Sequence, residues 1–308
     1  MKDLLRTEHL TRAQVETLLV TAQDFAKDPL SASSALAGRT VAIFMNKPST
    51  RTRLAAETAV AHLGGTPIFI RGDELQIGRG ETISDTARVI SQFASALIVR
   101  TFKQSDVDEL GAAATIPVIN GLTDDDHPTQ LLADWLVLQE KFGDSIKDRK
   151  FVYIGDGNNM ANTWLILGAI MGVHVVAITP SGKFSVSNSV VEKALQLAAA
   201  SGAKIEVSND PESVSGASAI YTDVWLSMGD SDAEKAERIN ALTPYSVTSK
   251  LMSKANPDAI FMHCLPAHRG EEVAAEVIDS ERSLVWRQVF HRRTSIQSIL
   301  YHLTRGGI

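Results

Sequence analysis

A chain of 308 residues, 44% hydrophobic and 21% charged, is long enough for two packed cores of ordinary composition. Its net charge of −6, with no block of like charge, excludes an electrostatic nucleic-acid surface, so an anionic ligand has to be held by local cations. A single cysteine, Cys264, excludes an intrachain disulfide and suits a reducing cytoplasm. The most apolar run, Trp164 to Ile178, contains Gly168, Gly172 and His174 and is too short to cross a bilayer.

Thr11 and Gln14 read as a capping box heading a helix whose Val15, Leu18, Leu19, Ala22 and Phe25 share one face, so residues 1–28 are expected to be folded and not a targeting segment. After a polar loop at 31–38, strands predicted at 40–44, 66–70, 96–100 and 116–120 alternate with helices at 51–63, 82–93 and 105–114. That alternation predicts an α/β fold: a mainly parallel sheet with helices on both faces. The polar loop at 73–81 interrupts it and suits contact with a neighbouring subunit. A helix from about 128 to 142 leads into the charged, aperiodic stretch 143–150, where the domain boundary is placed. A second unit follows, with strands at 151–154, 174–178, 204–207, 219–222 and 259–263 and helices at 160–171, 187–200 and 234–239. The last helix, about 288–303, is expected to return to the first lobe. The expected domains are therefore 1–142 with 288–308, and 143–287.

Several strand ends carry polar clusters. The stretch from Asn46 to Arg53, Asn-Lys-Pro-Ser-Thr-Arg-Thr-Arg, puts Ser49, Thr50, Arg51 and Thr52 on the first turn of a helix. Amides without helical partners, hydroxyls and guanidinium groups there form an anion site, expected to hold the phosphate of a small phosphorylated substrate; a capped helix start without a ligand is the plain alternative. Arg100, at the end of another strand, supplies a second cation able to clamp a phosphate. His127 and Gln130 lie three apart at a helix start, the imidazole placed to donate to a carbonyl oxygen and the amide to meet an adjacent NH2 group. Asp124, Asp125 and Asp126 are expected to bias His127 towards its charged form.

In the second unit, Gly155-Asp-Gly-Asn-Asn159 is placed like a dinucleotide-binding turn, but Asn158 and Asn159 crowd a pyrophosphate and suit a carboxylate or amino group. Asp223 suits a substrate ammonium, with Ser227 offering a hydroxyl and Gly229 the freedom of a closing loop. His263-Cys-Leu-Pro-Ala-His-Arg-Gly270 sets Cys264 among two histidines and an arginine; the spacing does not match a metal-ligand pattern, and no metal is expected. Buried packing is the plain alternative for Cys264.

In order and spacing, these segments resemble the aspartate/ornithine carbamoyltransferase family, and within it the ornithine-using members. The matching motifs are Ser49-Thr-Arg-Thr-Arg53, Gly78-Arg-Gly-Glu81 with Asp85-Thr-Ala87, His127-Pro-x-Gln130, Gly155-Asp-Gly-Asn-Asn-Met160, Asp223-x-x-x-Ser-Met-Gly229 and His263 to Gly270. The resemblance runs from near residue 5 to the C-terminus. It implies transfer of a carbamoyl group from carbamoyl phosphate to the δ-amine of ornithine, giving citrulline and phosphate, a step of arginine metabolism. It also implies that Ser49, Thr50, Arg51 and Thr52 bind the phosphate and that Arg100 bridges phosphate and carbonyl oxygen. His127 and Gln130 would hold the carbamoyl group, and Gln76 would reach across a trimer interface. Cys264, Leu265 and Arg292 would line the carbamoyl site, with Arg100, His127, Cys264 and Arg292 as its catalytic set. Asn159, Asp223, Ser227 and Met228 would hold ornithine. Further implications are a homotrimer or multiple of trimers, no metal or organic cofactor, a cytoplasmic location, and neither nucleic acid nor membrane as partner.

Two segments depart from the family pattern. Phe290-His291 stand before Arg292 where Glu-Asn is usual, and Thr129 replaces a frequent Cys. The aspartate-using branch carries His-Pro-Leu-Pro-Arg where this chain has His263-Cys-Leu-Pro-Ala, while Phe290-His291 keeps another diamine or a modified ornithine as the alternative acceptor. A catalytically silent relative should have lost a donor, yet Arg51, Arg100, His127 and Arg292 are all present. The Asn158-Asn159 turn opposes a nicotinamide-dependent enzyme.

Overall fold

The computed structural model describes residues 1–77, 80–226 and 232–308. The chain divides into two compact units, Met1–Leu136 with Val289–Ile308, and Val137–Gln288.

The first unit opens with α1 (Arg12–Lys27), headed by the expected capping box: Thr11 Oγ1 accepts the Gln14 N–H at 3.3 Å, and Gln14 Oε1 accepts the Thr11 N–H at 2.9 Å. Then follow β1 (Thr40–Met45), α2 (Thr50–His62), β2 (Thr66–Arg71), α3 (Ile83–Phe93), β3 (Ala96–Arg100), α4 (Gln104–Ala113), β4 (Val118–Leu122) and α5 (Pro128–Phe142). Among the described residues the four strands form one parallel sheet in the order β2-β1-β3-β4. Val41 to Met45 of β1 are buried without alternation, as a parallel strand covered on both faces requires, whereas edge strand β2 has no fully buried residue. On one face Ala42, Phe44, Leu97 and Val99 pack against Ala87 and Ile90 of α3 and Val107 and Leu110 of α4. Strand β4 begins two residues later than expected because Pro117 has no N–H to pair, although its carbonyl accepts from Leu97 at 2.9 Å. Pairing continues to Leu122 through a register shift between Val99 and Arg100.

The second unit contains β5 (Lys150–Ile154), α6 (Asn159–Met171), β6 (His174–Ile178), α7 (Asn188–Ser201), β7 (Lys204–Ser208), β8 (Ala219–Thr222), α8 (Asp232–Leu242), α9 (Ser249–Met252), β9 (Ile260–His263) and α10 (Ala275–Ile278). Its strands form a parallel sheet in the order β7-β6-β5-β8-β9. Val152, Ile154, Val176, Ile178, Ile220 and Phe261 make the core of one face with Val214, Val247 and Val277. The final helix, α11 (Val285–Leu303), starts three residues before the expected position and carries the chain back into the first unit. Among the described residues no helix is long and apolar enough to cross a membrane.

Both sheets reverse their winding once, and the reversal determines where polar side chains collect. From β1 the chain adds β2 on one side and β3 on the other; from β5 it adds β6 on one side and β8 on the other. At such a switch point the loops leaving adjacent strand ends diverge and open a crevice. Ser49 to Thr52 and Arg100 follow or end β1 and β3, which pair Met45 with Arg100. Asp156 to Asn159 and Asp223 follow β5 and β8.

Helix α6 approaches the second sheet closely at Gly168, where an added Cβ would lie 2.2 Å from Val175 Cγ2. Val175 is fully buried and β-branched, so its methyl group has little room to turn. A Gly168→Ala change gains about 1 kcal/mol of helix propensity and loses about 1–3 kcal/mol to overpacking. Packing should win: urea or thermal denaturation is expected to show a less stable variant, and a stabilised one would contradict this account of α6.

Candidate active site

Ser49 caps α2, its hydroxyl oxygen accepting the Thr52 N–H at 3.3 Å. The first turn therefore presents Thr50, which is exposed, Arg51, half-buried, and Thr52, fully buried. Thr52 Oγ1 accepts Arg292 Nη2 at 3.1 Å and lies 3.4 Å from Arg100 Nη1. Guanidinium groups only donate, so the Thr52 hydroxyl keeps its own hydrogen for a further acceptor. Arg100 is anchored through Nε to the Lys47 carbonyl at 3.2 Å. Arg292 is 3% exposed; its Nη1 donates to Gln130 Oε1 and lies 3.3 Å from His127 Nε2. Gln130 is held from behind by Asp134, whose Oδ1 accepts Gln130 Nε2 at 2.7 Å. Four distant segments thus converge on one buried, cation-rich cluster.

The expected charge on His127 is corrected by the fold. Burial holds its pKa well below the ordinary histidine range, and the positive charges of Arg292, Arg100 and Arg51 push the same way. Two of the three neighbouring aspartates are committed elsewhere: Asp124 pairs with Lys47 Nζ at 3.2 Å, and Asp126 accepts from the Thr7 backbone and hydroxyl at 2.5 and 2.8 Å. His127 Nδ1 lies 3.4 Å from Thr129 Oγ1. With Arg292 necessarily the donor at Nε2, the consistent neutral tautomer carries its proton on Nδ1. In this arrangement Nε2 is an acceptor, not the carbonyl donor expected from the motif.

In the second unit Asn158 caps α6, its Oδ1 accepting Met160 N at 2.9 Å and Ala161 N at 3.3 Å. A pyrophosphate would need these same amides, which adds a physical reason against dinucleotide binding. Tyr153 Oη donates to the Asp156 carbonyl at 2.9 Å and lies 3.0 Å from Asn158 Oδ1. Asn158 Nδ2 donates to Asp223 Oδ2 at 2.9 Å; Asp223 Oδ1 accepts Cys264 Sγ and Val224 N, both at 2.8 Å. Asp156, 8% exposed, pairs with Arg238 of α8. Burial raises its pKa to about 6, against the opposing pull of Arg238 and with added repulsion from Asp223.

His263 is fully buried. Its Nδ1 accepts the Leu265 N–H at 2.8 Å, so Nε2 carries the proton towards Glu272 Oε1 at 3.2 Å. The same Glu272 oxygen accepts the His268 N–H at 2.6 Å. This strut holds the 263–268 loop, in which Leu265 adopts φ 58°, a left-handed conformation that a leucine keeps only when its surroundings impose it. One atom each from Asp223, His263 and Cys264 lie within 4.8 Å of one another, as do atoms of His268, Glu271 and Glu272. In the first group both imidazole nitrogens and the thiol already serve hydrogen bonds, which a metal ion would have to break.

The carbamoyl-P binding domain of aspartate/ornithine carbamoyltransferase matches residues 2–140, and its Asp/Orn binding domain matches residues 147–303. The chain belongs to the aspartate/ornithine carbamoyltransferase family. It is 45% identical over 310 residues to the anabolic ornithine carbamoyltransferase of Pyrococcus furiosus, covering 100% of this chain and 97% of that protein. Identity to the ornithine carbamoyltransferase of Anoxybacillus flavithermus is 44% over 305 residues, covering 98% and 96%. Among solved structures, the P. furiosus ornithine carbamoyltransferase has a TM-score of 0.92 at 45% identity, over 97% of this chain and 96% of that one. Ornithine transcarbamoylase from Giardia lamblia has a TM-score of 0.91 at 30% identity, over 100% and 99%.

For this carbamoyltransferase family member, Thr52, Arg100, His127, Gln130 and Arg292 meet in the first unit, and Asp223 meets Cys264 in the second. Gln76 is exposed in the loop after β2 and forms no side-chain hydrogen bond to the cluster among the described residues. Ser227, Met228 and Gly229 lie outside the described residues, as do Gly78 and Arg79. Arg269, expected beside Cys264, instead pairs with Asp279 at 2.6 Å, and His268 is exposed. At the two departures from the family pattern, Thr129 contacts His127, and buried His291 lies 3.0 Å from Thr294 Oγ1 with the Phe290 ring edge-on against it. Sequence reasoning passed over Tyr153, Asp156, Arg238 and Glu272. Asp156 was visible within the Gly155–Asn159 turn, whereas nothing local marks Arg238, 82 residues away.

The raised pKa of Asp156 has a signed consequence. Below its ordinary value of 3.8 both folded and unfolded chains hold the proton. Between 3.8 and about 6 the unfolded chain loses it first, so stability falls as pH rises and then levels off. Asp156→Asn keeps an acceptor for Arg238 and removes this titration. Relative to the parent protein, the variant is expected to gain on the order of 3 kcal/mol between pH 4 and pH 7 in urea titrations. A pH-independent difference would show that Asp156 is ionised throughout.

Proposed function

We propose that this chain transfers the carbamoyl group of carbamoyl phosphate to the δ-amine of L-ornithine, giving L-citrulline and phosphate. The observation that carries the reading is the buried cluster in which Arg292 donates to Thr52 and Gln130 and meets His127, with Arg100 beside them. Ornithine as acceptor is supported by full-length relatives that are named ornithine carbamoyltransferases.

On this reading Ser49, Thr50, Arg51 and Thr52 receive the phosphate on the amide-rich start of α2. The Thr52 hydroxyl and the guanidinium groups of Arg100 and Arg292 are donors for the carbonyl oxygen, whose charge grows as the neutral amine attacks the carbamoyl carbon. His127 Nε2 and Gln130 Oε1 are acceptors of the kind a carbamoyl NH2 group needs, and a ligand there takes over from Arg292 Nη1. The attack forms the new C–N bond, collapse of the tetrahedral species breaks the bond to phosphate, and the amine gives up a proton. No side chain has to bond covalently to the carbamoyl group, so Cys264 acts through its contact with Asp223 and not as a nucleophile. Asp223 orients the amino acid, with Asn159, Ser227 and Met228 as its further contacts and Leu265 at the carbamoyl site.

Assembly and setting complete the proposal. Three copies, or a multiple of three, associate so that Gln76 of one serves the carbamoyl phosphate site of the next, and the enzyme works in the cytoplasm without a metal or organic cofactor.

Incubation with carbamoyl phosphate and a panel of L-ornithine, putrescine and L-aspartate, following phosphate and ureido product, tests the acceptor. Product is expected with ornithine; product with putrescine and none with ornithine would reassign it. Arg51→Ala is expected to lower kcat/KM by at least about a hundredfold, as loss of a preorganised donor does, with an unchanged melting temperature. Near-normal turnover in that variant would remove the phosphate site from α2.

A further inference from the structure

We propose that Asn158 is a positioning residue for the amino-acid substrate: its side-chain amide joins the start of α6 to Asp223 and fixes the direction in which that carboxylate presents its remaining acceptor position. The inference rests on the proposed function, because it concerns the same amino-acid site, and assigns to Asn158 a task separate from that of Asn159.

The orientation of the Asn158 amide follows from its neighbours. Two backbone donors converge on Oδ1, the Met160 and Ala161 amides at 2.9 and 3.3 Å, with the Tyr153 hydroxyl 3.0 Å away. A flipped amide would set NH2 against both backbone N–H groups and an oxygen against Asp223, so the oxygen must face the helix and the NH2 must face Asp223, 2.9 Å away.

Asp223 is then held at both oxygens. Oδ1 accepts Cys264 Sγ and Val224 N, and Oδ2 accepts Asn158 Nδ2. An ionised carboxylate has about four acceptor positions, so among the described residues one remains, on Oδ2, for a ligand ammonium group. Asn158 occupies the other position on that oxygen and thereby aims the remaining one. An acceptor held in place before the ligand arrives loses less freedom on binding, and its orientation affects the amino acid without touching the carbamoyl phosphate cluster in the first unit.

Two variants separate positioning from helix capping. Serine caps helices about as well as asparagine, so Asn158→Ser keeps an oxygen for the α6 amides and loses the donor to Asp223. Asn158→Asp keeps both the cap and the shape, but turns an oxygen towards Asp223. Steady-state kinetics with carbamoyl phosphate and L-ornithine, alongside thermal melting, provide the readouts. Both variants are expected to raise the KM for ornithine about ten- to a hundredfold, the aspartate more than the serine, as loss of a charge-assisted hydrogen bond does. The KM for carbamoyl phosphate should stay within about twofold, and the melting temperature within a few degrees. An unchanged ornithine KM in both variants, or parallel losses in both substrates together with a lower melting temperature, would overturn the inference and leave Asn158 only its cap. A parent enzyme that makes no ureido product from ornithine would instead overturn the proposed function, and the inference with it.

Discussion

A parallel sheet delivers the carboxyl end of every strand, and the amide-rich start of the helix that follows, to one edge. Most of the chemistry-bearing side chains described above depend on that constraint. Ser49 to Thr52 start α2 beyond β1, Asn158 caps α6 beyond β5, and Asp223 and Cys264 follow β8 and β9. Where the strand order reverses, the loops diverge, and polar groups collect there without interrupting a ladder. Arg292 is the exception among the site residues. It comes from α11, at the far end of the chain, and reaches Thr52 240 residues away in sequence.

The two units treat charge in opposite ways. In the first, burial, reinforced by the charges of Arg292, Arg100 and Arg51, keeps an imidazole neutral. Arg292 donates there to neutral acceptors, Thr52, Gln130 and His127, so the cluster is built to receive negative charge. In the second, burial and the negative charge of Asp223 disfavour ionisation of Asp156, and Arg238 offsets this. That site receives positive charge. The division fits an anionic donor and a cationic acceptor, the two substrates of the proposed reaction.

Rigidity comes from buried side-chain struts more than from loop backbone. Glu272 and His263 brace the loop carrying Cys264 and Leu265, and Asp134 braces Gln130. Each strut is a buried, hydrogen-bonded polar group, where an unmade bond is expensive and a made one holds a single geometry. Leu265 shows the result: its left-handed backbone persists because its N–H is tied to His263.

Taken alone, the sequence was enough for the fold class, the capping box at Thr11 and Gln14, and the strand and helix around Ser49 to Thr52. Those features depend on hydrophobic period and capping, which are written in residues a few positions apart. Three things were decided only by tertiary structure: the neutral state of His127, the alliance of Asn158 with Asp223, and the diversion of Arg269 to Asp279. Each turns on burial or on a partner distant in the chain. The three adjacent aspartates predicted a charged His127, but chain folding sent Asp124 to Lys47 and Asp126 to Thr7 and put Arg292 beside the imidazole. Electrostatics depends on distance through space and on exclusion of water, and neither is set by proximity in sequence.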